Sequence, residues 1–438
     1  MNEYKSQEGF PKLRFIRKQE LQKIKNTKEI STMKIPGVKT GPQKVYRIPL
    51  EFLSYNPYNT RFIAEAKTLE KEYGVLNDEN PEHVKLIEEF LWDYKKDKNE
   101  YTITSLIKEG QLEPGVVTPD GVIIAGNRRF RLLNEIQRNR SEYDKPGVNL
   151  EGLQYFEAVI LDNNLSPKEI IQYESFYQYG TDEKVDYNPI EKYIAAHDQM
   201  KRGFSIKEIY DNFRAITENE KEILIRLDVY KLMQDYLSYI GEPDVYTALN
   251  EKEEAFLNIN KNLSPLQKGV GRSKGMWAFN PDIDIPNFKM VAFNYIRNGL
   301  GTHEFRSLFE VFKNEERWKD FFKKFKEEIK NGSVNSLEEY KEKYKKEGTM
   351  EVSEIRKRDF MEMHKKGLDR LFNIEKAFQI NQENKEMPID VLNKSLNGLI
   401  KFKEIISENK LTDEVREQAL ELLLKIQEKS GQLKQNID

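Results

Sequence analysis

Apolar positions along the chain keep two rhythms, and the change between them falls near residue 165. Before it, apolar residues gather in short runs bounded by Pro, Gly and Asn, the pattern of strands. Such runs occupy Val45–Leu50, Pro114–Thr118, Val122–Ala125 and 154–161. Between them lie helical spacings. In 81–94, Val84, Ile87, Phe90 and Leu91 fall on one face behind Pro81 in the first turn, and Ile103–Glu109 is a shorter helix stopped by Gly110. Pro119-Asp120-Gly121 predicts a tight hairpin turn. Gly126 then leaves the second hairpin strand and Arg128–Arg138 continues as a helix. Short strands mixed with helices predict a compact α+β domain.

After Ser166 the strand rhythm fades. Ser166-Pro167-Lys168-Glu169 reads as a capped helix start, and Asn188-Pro189-Ile190-Glu191 opens a helix through Lys201. Gly203 breaks it, Ser205 caps Ile206–Phe213, and Thr217 caps a helix through Leu227. Three helices with short turns predict a helix-turn-helix-like unit. The Pro/Gly-rich stretch around 262–286 reads as a boundary or long loop. Charged helices follow at 315–330, 351–372, 389–408 and 412–429, without a heptad run long enough to define a coiled coil. The expected fold class is an α+β N-terminal domain followed by mostly α-helical domains. Its divisions are a basic polar arm at 1–40, the α+β domain at 41–164, a helical domain at 165–262, a linker or loop at 263–287 and a charged helical region at 288–438.

Composition narrows the chemistry. The 438 residues contain no cysteine, which excludes disulfides, thiolate catalysis and Cys-ligated zinc. The four histidines are scattered without ligand spacing. A third of the residues are charged and no apolar run reaches the ~18–20 residues of a membrane span, so a soluble, cytoplasmic protein without membrane contact is expected. Heavy use of Lys, Asn, Ile and Glu suits an AT-rich bacterial or phage genome. The net charge of −3 is no nucleic-acid signature, but residues 1–48 carry twelve Lys/Arg against four Glu. That excess suits phosphates or acidic partners, or equally a solvated tail.

The densest candidate chemistry is Gly126-Asn127-Arg128-Arg129-Phe130-Arg131. A glycine at a strand end allows close backbone approach, and the following helix N-terminus offers unpaired amides and positive dipole. Arg128, Arg129 and Arg131 add forks suited to phosphate oxygens. Asn56-Pro57-Tyr58-Asn59-Thr60-Arg61 presents another arginine on an upstream turn. An exposed Arg-rich helix paired to neighbouring glutamates would show the same spacing.

Residues 106–133 resemble the ParB/sulfiredoxin superfamily, in which a short helix and a G-x-x-x-P segment lead into a hairpin and a GERRxR box. Asn56–Arg61 resembles that superfamily's NPxNxR box, while Leu165–Pro167, Asn188–Glu191 and 192–240 resemble the linker and helix-turn-helix region of ParB proteins. The resemblance covers roughly 45–250. It implies a nucleotide or phosphate pocket built from Asn56, Arg61, Gly126, Asn127, Arg128, Arg129 and Arg131, with CTP or ATP and Mg²⁺ as ligands. Sulfiredoxin activity is excluded, since its box needs a cysteine. Relatives keep acids where this chain has Ala125 and Asn127, and an amide is no general base. Glu174, with Gln178 and Lys184 at altered spacing, is a weak counterpart of the family's metal box or simply a helix-surface residue. Asp120 and Glu174 are the only weak catalytic candidates.

Lys207, Arg214, Lys221 and Arg226 are candidate DNA contacts, although the would-be recognition helix opens on glutamates. The basic Lys268–Lys274 segment is a further candidate or a plain linker. The expected protein is a homodimeric, ParB-like DNA-associated protein, switched by a nucleotide in DNA segregation, regulation or phage defence. The C-terminal helices would contact a protein partner. Two alternatives stay open, a ParB-fold nuclease or nucleotide hydrolase, and an interaction module with a vestigial pocket.

Overall fold

The computed structural model describes residues 11–35, 41–57, 59, 62–93, 96–162, 166–179, 189–268, 277–301, 304–330, 352–408 and 411–435. The chain divides into two compact units, Met1–Lys365 and Lys366–Asp438. An α+β N-terminal region followed by helices is what the first unit contains.

Its sheet has five strands, β1 (Ser31–Met33), β2 (Gln43–Pro49), β3 (Gly115–Val117), β4 (Ile123–Ala125) and β5 (Tyr155–Ile160), in the order β1-β2-β5-β3-β4. All pairings are antiparallel except β3 with β5, where Gly115 faces Ala158 and Val117 faces Ile160. Strict alternation explains why these strands read as apolar runs: both faces are covered. Tyr46, Ile48, Val117, Ile123, Phe156, Ala158 and Ile160 point to one core. Val45, Val116, Ile124, Val159 and Leu161 point to the other.

The first core is closed by α2 (Ile63–Tyr73), α3 (Pro81–Asp93), α4 (Asn99–Glu109) and α5 (Asn127–Arg138), which supply Ala66, Val84, Ile87, Leu91, Ile103, Leu106, Phe130 and Leu133. The short α6 (Arg140–Tyr143) follows. The opposite core is covered by α7 (Pro167–Tyr179) through Ile170, Tyr173 and Tyr177.

The segment expected as a basic arm is, over residues 11–35, part of this domain. Helix α1 (Arg14–Lys25) buries Leu21 in the first core, and β1 extends the sheet edge. Part of its basic charge pairs within the protein. Arg17, wholly buried, donates from one terminal nitrogen to Asp78 Oδ2 at 2.5 Å and from Nε to the Asp120 carbonyl at 3.0 Å. Arg14 reaches the other Asp78 oxygen at 2.6 Å, and Lys25 pairs with Asp162 at 3.0 Å. Of the two readings of the N-terminal charge, acidic partners within the same chain account for these cations.

The helices α8 (Glu191–Lys201), α9 (Ile206–Asn212) and α10 (Glu220–Tyr239) follow. Ser205 and Glu208 form a reciprocal capping box, as expected. The next helix starts later than expected: Asn219, not Thr217, caps it, and it runs to Tyr239 because Val229, Leu232, Met233, Tyr236 and Leu237 keep burying the same face. Around 262–286, α11 (Glu253–Lys268) continues through Pro265 in its last turns, and α12 (Pro281–Arg297) starts behind an Asn280 cap. Residues 269–276, in the middle of the expected linker or loop, lie outside the described residues; both helices belong to the first unit, which ends at Lys365. The unit ends with α13 (Glu304–Phe312), α14 (Glu315–Lys330) and the first turns of α15 (Val352–Glu408).

The second unit holds the remainder of α15 and α16 (Asp413–Gln435). Among the described residues, no helix is long and apolar enough to cross a membrane.

Candidate functional site

Strand β4 delivers the chain to Gly126, whose φ of +103° lies in the region L side chains rarely adopt. A Cβ there would stand 2.8 Å from Phe156 Cζ, so the glycine is required by conformation and by space. No side chain caps the start of α5 and its first turn contains no acid. The leading N–H groups of a helix cannot be satisfied within it, and the dipole at such a start favours an anion.

Asn127 joins the two sequence boxes. Its Oδ1 accepts the backbone N–H of Asn56 at 3.1 Å, and its Nδ2 donates to the Ile123 carbonyl at 2.9 Å. Asn127 is buried, as are Asn56 and Asn59. An aspartate or glutamate could accept from Asn56 but could not donate to Ile123, which gives the amide a structural reason at this position. The upstream turn and the start of α5 thus meet at the end of β4. Arg61 lies outside the described residues.

The three arginines diverge. Arg128 reaches across to α4, donating to Asn99 Oδ1 at 2.9 Å and to Thr102 Oγ1 at 3.3 Å. Arg129 donates to the Glu113 carbonyl and lies 3.6 Å from its carboxylate. Both remain partly exposed beside the helix start. Arg131 turns toward α3: it pairs with Glu135 at 2.7 Å, donates to the Glu88 carbonyl at 3.4 Å and lies 4.9 Å over the Trp92 ring. Its side chain is only 12% exposed, so it belongs to the scaffold rather than to the phosphate set.

That scaffold was not anticipated. Glu88 is gripped by both terminal nitrogens of Arg138, at 2.6 and 2.7 Å, and accepts the Tyr55 hydroxyl at 2.8 Å. Burial, and then the charge of Glu88, pushes the Tyr55 hydroxyl well above its ordinary value and keeps it a donor. The signal in the sequence is a charged residue on an apolar stripe. Glu88 follows Val84 by four positions and Ile87 by one, and a buried carboxylate there requires partners.

Of the two candidate acids, Asp120 is engaged in its own turn. Asp120 closes the hairpin: its Oδ1 accepts from Thr118 Oγ1 at 2.5 Å and its Oδ2 lies 3.5 Å from Arg14 Nε. Glu174 is buried on α7, the helix covering the opposite face of the sheet, so it is no helix-surface residue. Among the described residues, no group of three or more His, Asp or Glu side chains could hold a metal ion. Lys184 lies outside the described residues, as does most of Lys268–Lys274.

In the helix-turn-helix-like unit, Lys207, Arg214 and Lys221 are exposed. Arg226 is not. It is 7% exposed, donates to the Ile216 carbonyl at 2.6 Å and lies 5.4 Å over the Phe213 ring, so it fastens the turn before α10 rather than facing solvent. A buried amide relay, Asn212 Nδ2 to Gln199 Oε1 at 2.8 Å and Gln199 Nε2 to Ser175 Oγ at 2.9 Å, ties α9 to α8 and α7.

Compared with protein-family models, curated proteins and solved structures, the chain matches none.

Proposed function

We propose that the N-terminal region is a ParB/sulfiredoxin-like phosphate-binding domain of a DNA-associated protein, and that its box at Gly126–Arg129 is a binding grip. The observation that carries this reading is the junction of Asn127 with Asn56, which brings an uncapped helix start and the upstream turn to one strand end. Arg128 and Arg129 flank that junction, Arg128 donating to Asn99 and Thr102, and Arg129 donating to the Glu113 carbonyl with the Glu113 carboxylate 3.6 Å away. Guanidinium groups in this position suit the planar, charge-assisted bonding of phosphate oxygens. A nucleoside triphosphate, CTP or ATP with Mg²⁺, is the ligand class that such a grip suits. Binding would then act as a switch, biasing one conformation over another rather than driving bond cleavage.

DNA association rests on Lys207, Arg214 and Lys221, which the helical unit leaves exposed on and between α9 and α10. Gel mobility shifts with duplex DNA over a range of salt test it. Binding should weaken as salt rises, since phosphate contacts release counterions. The triple variant Lys207→Ala/Arg214→Ala/Lys221→Ala should flatten the slope. A shift insensitive to both salt and the substitutions would remove DNA from the proposal.

A further inference from the structure

The second unit carries its apolar surface on the outside. Between Ile389 and Leu433, fourteen large aliphatic side chains are exposed, Leu422 at 59% and Leu424 at 66% among them. Every residue of α16 except Ala419 is exposed. Between α15 and α16 runs a groove of about 1100 Å³, lined chiefly by Leu392, Leu396, Phe402, Leu422, Ile426 and Leu433.

The width of the apolar face exceeds what one neighbour covers. At ~100° per residue, Val415, Ala419, Leu422 and Ile426 form one stripe of α16, and Leu423, Leu420 and Leu424 extend it to an arc of roughly 200°. On α15, the arc from Ile405 and Val391 through Leu399 and Leu392 to Leu396 and Ile400 is equally wide. A surface helix facing a single core needs a stripe of only ~100°. Two helices with arcs this broad fit a four-helix bundle, in which each helix touches two neighbours.

We infer that the α15–α16 hairpin associates with the hairpin of a second copy of this chain to form a four-helix bundle. Three observations favour a second copy over other occupants. The exposed aliphatic surface is on the order of 1,000 Å² per chain, against about 800 Å² per partner in a standard interface. Residues 389–435 hold eight Lys/Arg and eight Asp/Glu, so two identical hairpins approach without net repulsion. Exposed large apolar residues of the first unit, such as Phe15, Val75, Tyr101, Leu112 and Ile283, are spread over separate elements and offer no comparable face. A two-fold pairing needs only that the patch complement itself. The inference stands independently of the phosphate reading.

Light scattering and sedimentation of the full chain, from about 1 to 50 μM, test it. The expected mass is twice that of the chain. Leu422→Glu/Ile426→Glu, in the groove, and Leu420→Lys/Leu424→Lys, on the outer part of the arc, should each weaken association at least tenfold. Glu417→Gln/Glu428→Gln, on the polar side, should leave it unchanged. Circular dichroism distinguishes loss of association from loss of helix, and the outer pair keeps the test valid if the groove pair unfolds the hairpin. A single-chain mass at every concentration would overturn the inference and mean that the first unit or another protein covers the face. So would a dimer that survives both pairs of substitutions.

Discussion

Asn127 Oδ1 holds the backbone N–H of Asn56 at 3.1 Å across seventy-one residues of sequence, while the same side chain donates to the Ile123 carbonyl. One buried amide thereby satisfies two backbone groups that would otherwise be stranded. Asn127→Ala should cost about 1–3 kcal/mol, the typical penalty for leaving buried polar groups unsatisfied. Urea denaturation measures it, and hydrogen exchange at the Asn56 amide should accelerate. Unchanged stability together with unchanged exchange would show that the junction is not a fastening.

The Arg17–Asp78 pair locks α1 onto the domain from a buried position. Removing one charge of a buried pair typically costs about 3–5 kcal/mol, and the second cation on Asp78, Arg14 at 2.6 Å, offsets part of that here. Arg17→Met is therefore expected to destabilise strongly, and Arg17→Met/Asp78→Leu to recover much of the loss. Thermal melts of the two variants decide it; additive losses would contradict the coupling.

Gly126→Ala places a methyl group at φ +103° and against Phe156. The backbone alone should cost about 1–3 kcal/mol. Adding Phe156→Leu opens space without changing φ, so it should relieve only the clash. Comparison of the single and double variants by chemical denaturation separates the two contributions.

Acid should loosen the contact between α7 and α9. The Glu208 carboxylate is lowered to about 2 from 4.5, first by Lys168 and then by the Ser205 backbone and hydroxyl. A carboxylate with a depressed folded value contributes stability above its unfolded value and loses it as pH falls through the folded one. The loss therefore runs between about pH 4.5 and about pH 2. NMR titration of the Ser205 amide should follow this window, and Glu208→Gln should abolish the response. A titration centred at the ordinary value of 4.5 would show that the ion pair does not persist in solution.

Local signals indicate four of the five strands and the Ser205 cap, but neither β1 nor the Asn219 cap. The Pro119–Gly121 turn, Gly110 as a helix stop and the Ser205 box each rest on a few adjacent residues, and each stands where its chemistry placed it. The long-range partners were not legible in this way. Nothing adjacent to Arg17 announces Asp78, and while Glu135 is the expected neighbour of Arg131 one helical turn on, nothing adjacent announces Trp92. Arg226 misled for the same reason: its charge suggests solvent, while the Ile216 carbonyl and the Phe213 ring supply the environment that buries it. Pro265 and Pro286 suggested a linker, yet α11 and α12 continue past them because tertiary packing outweighs the lost backbone bond.

The central claim, that Gly126–Arg129 is a phosphate grip, is tested most directly by calorimetric titration of CTP, ATP and GTP with Mg²⁺. The wild-type protein should bind at least one of them with measurable heat, and Arg128→Ala/Arg129→Ala should abolish that heat while retaining a cooperative thermal unfolding transition. Absence of heat with all three nucleotides, or binding that persists undiminished in the double variant, would contradict the account.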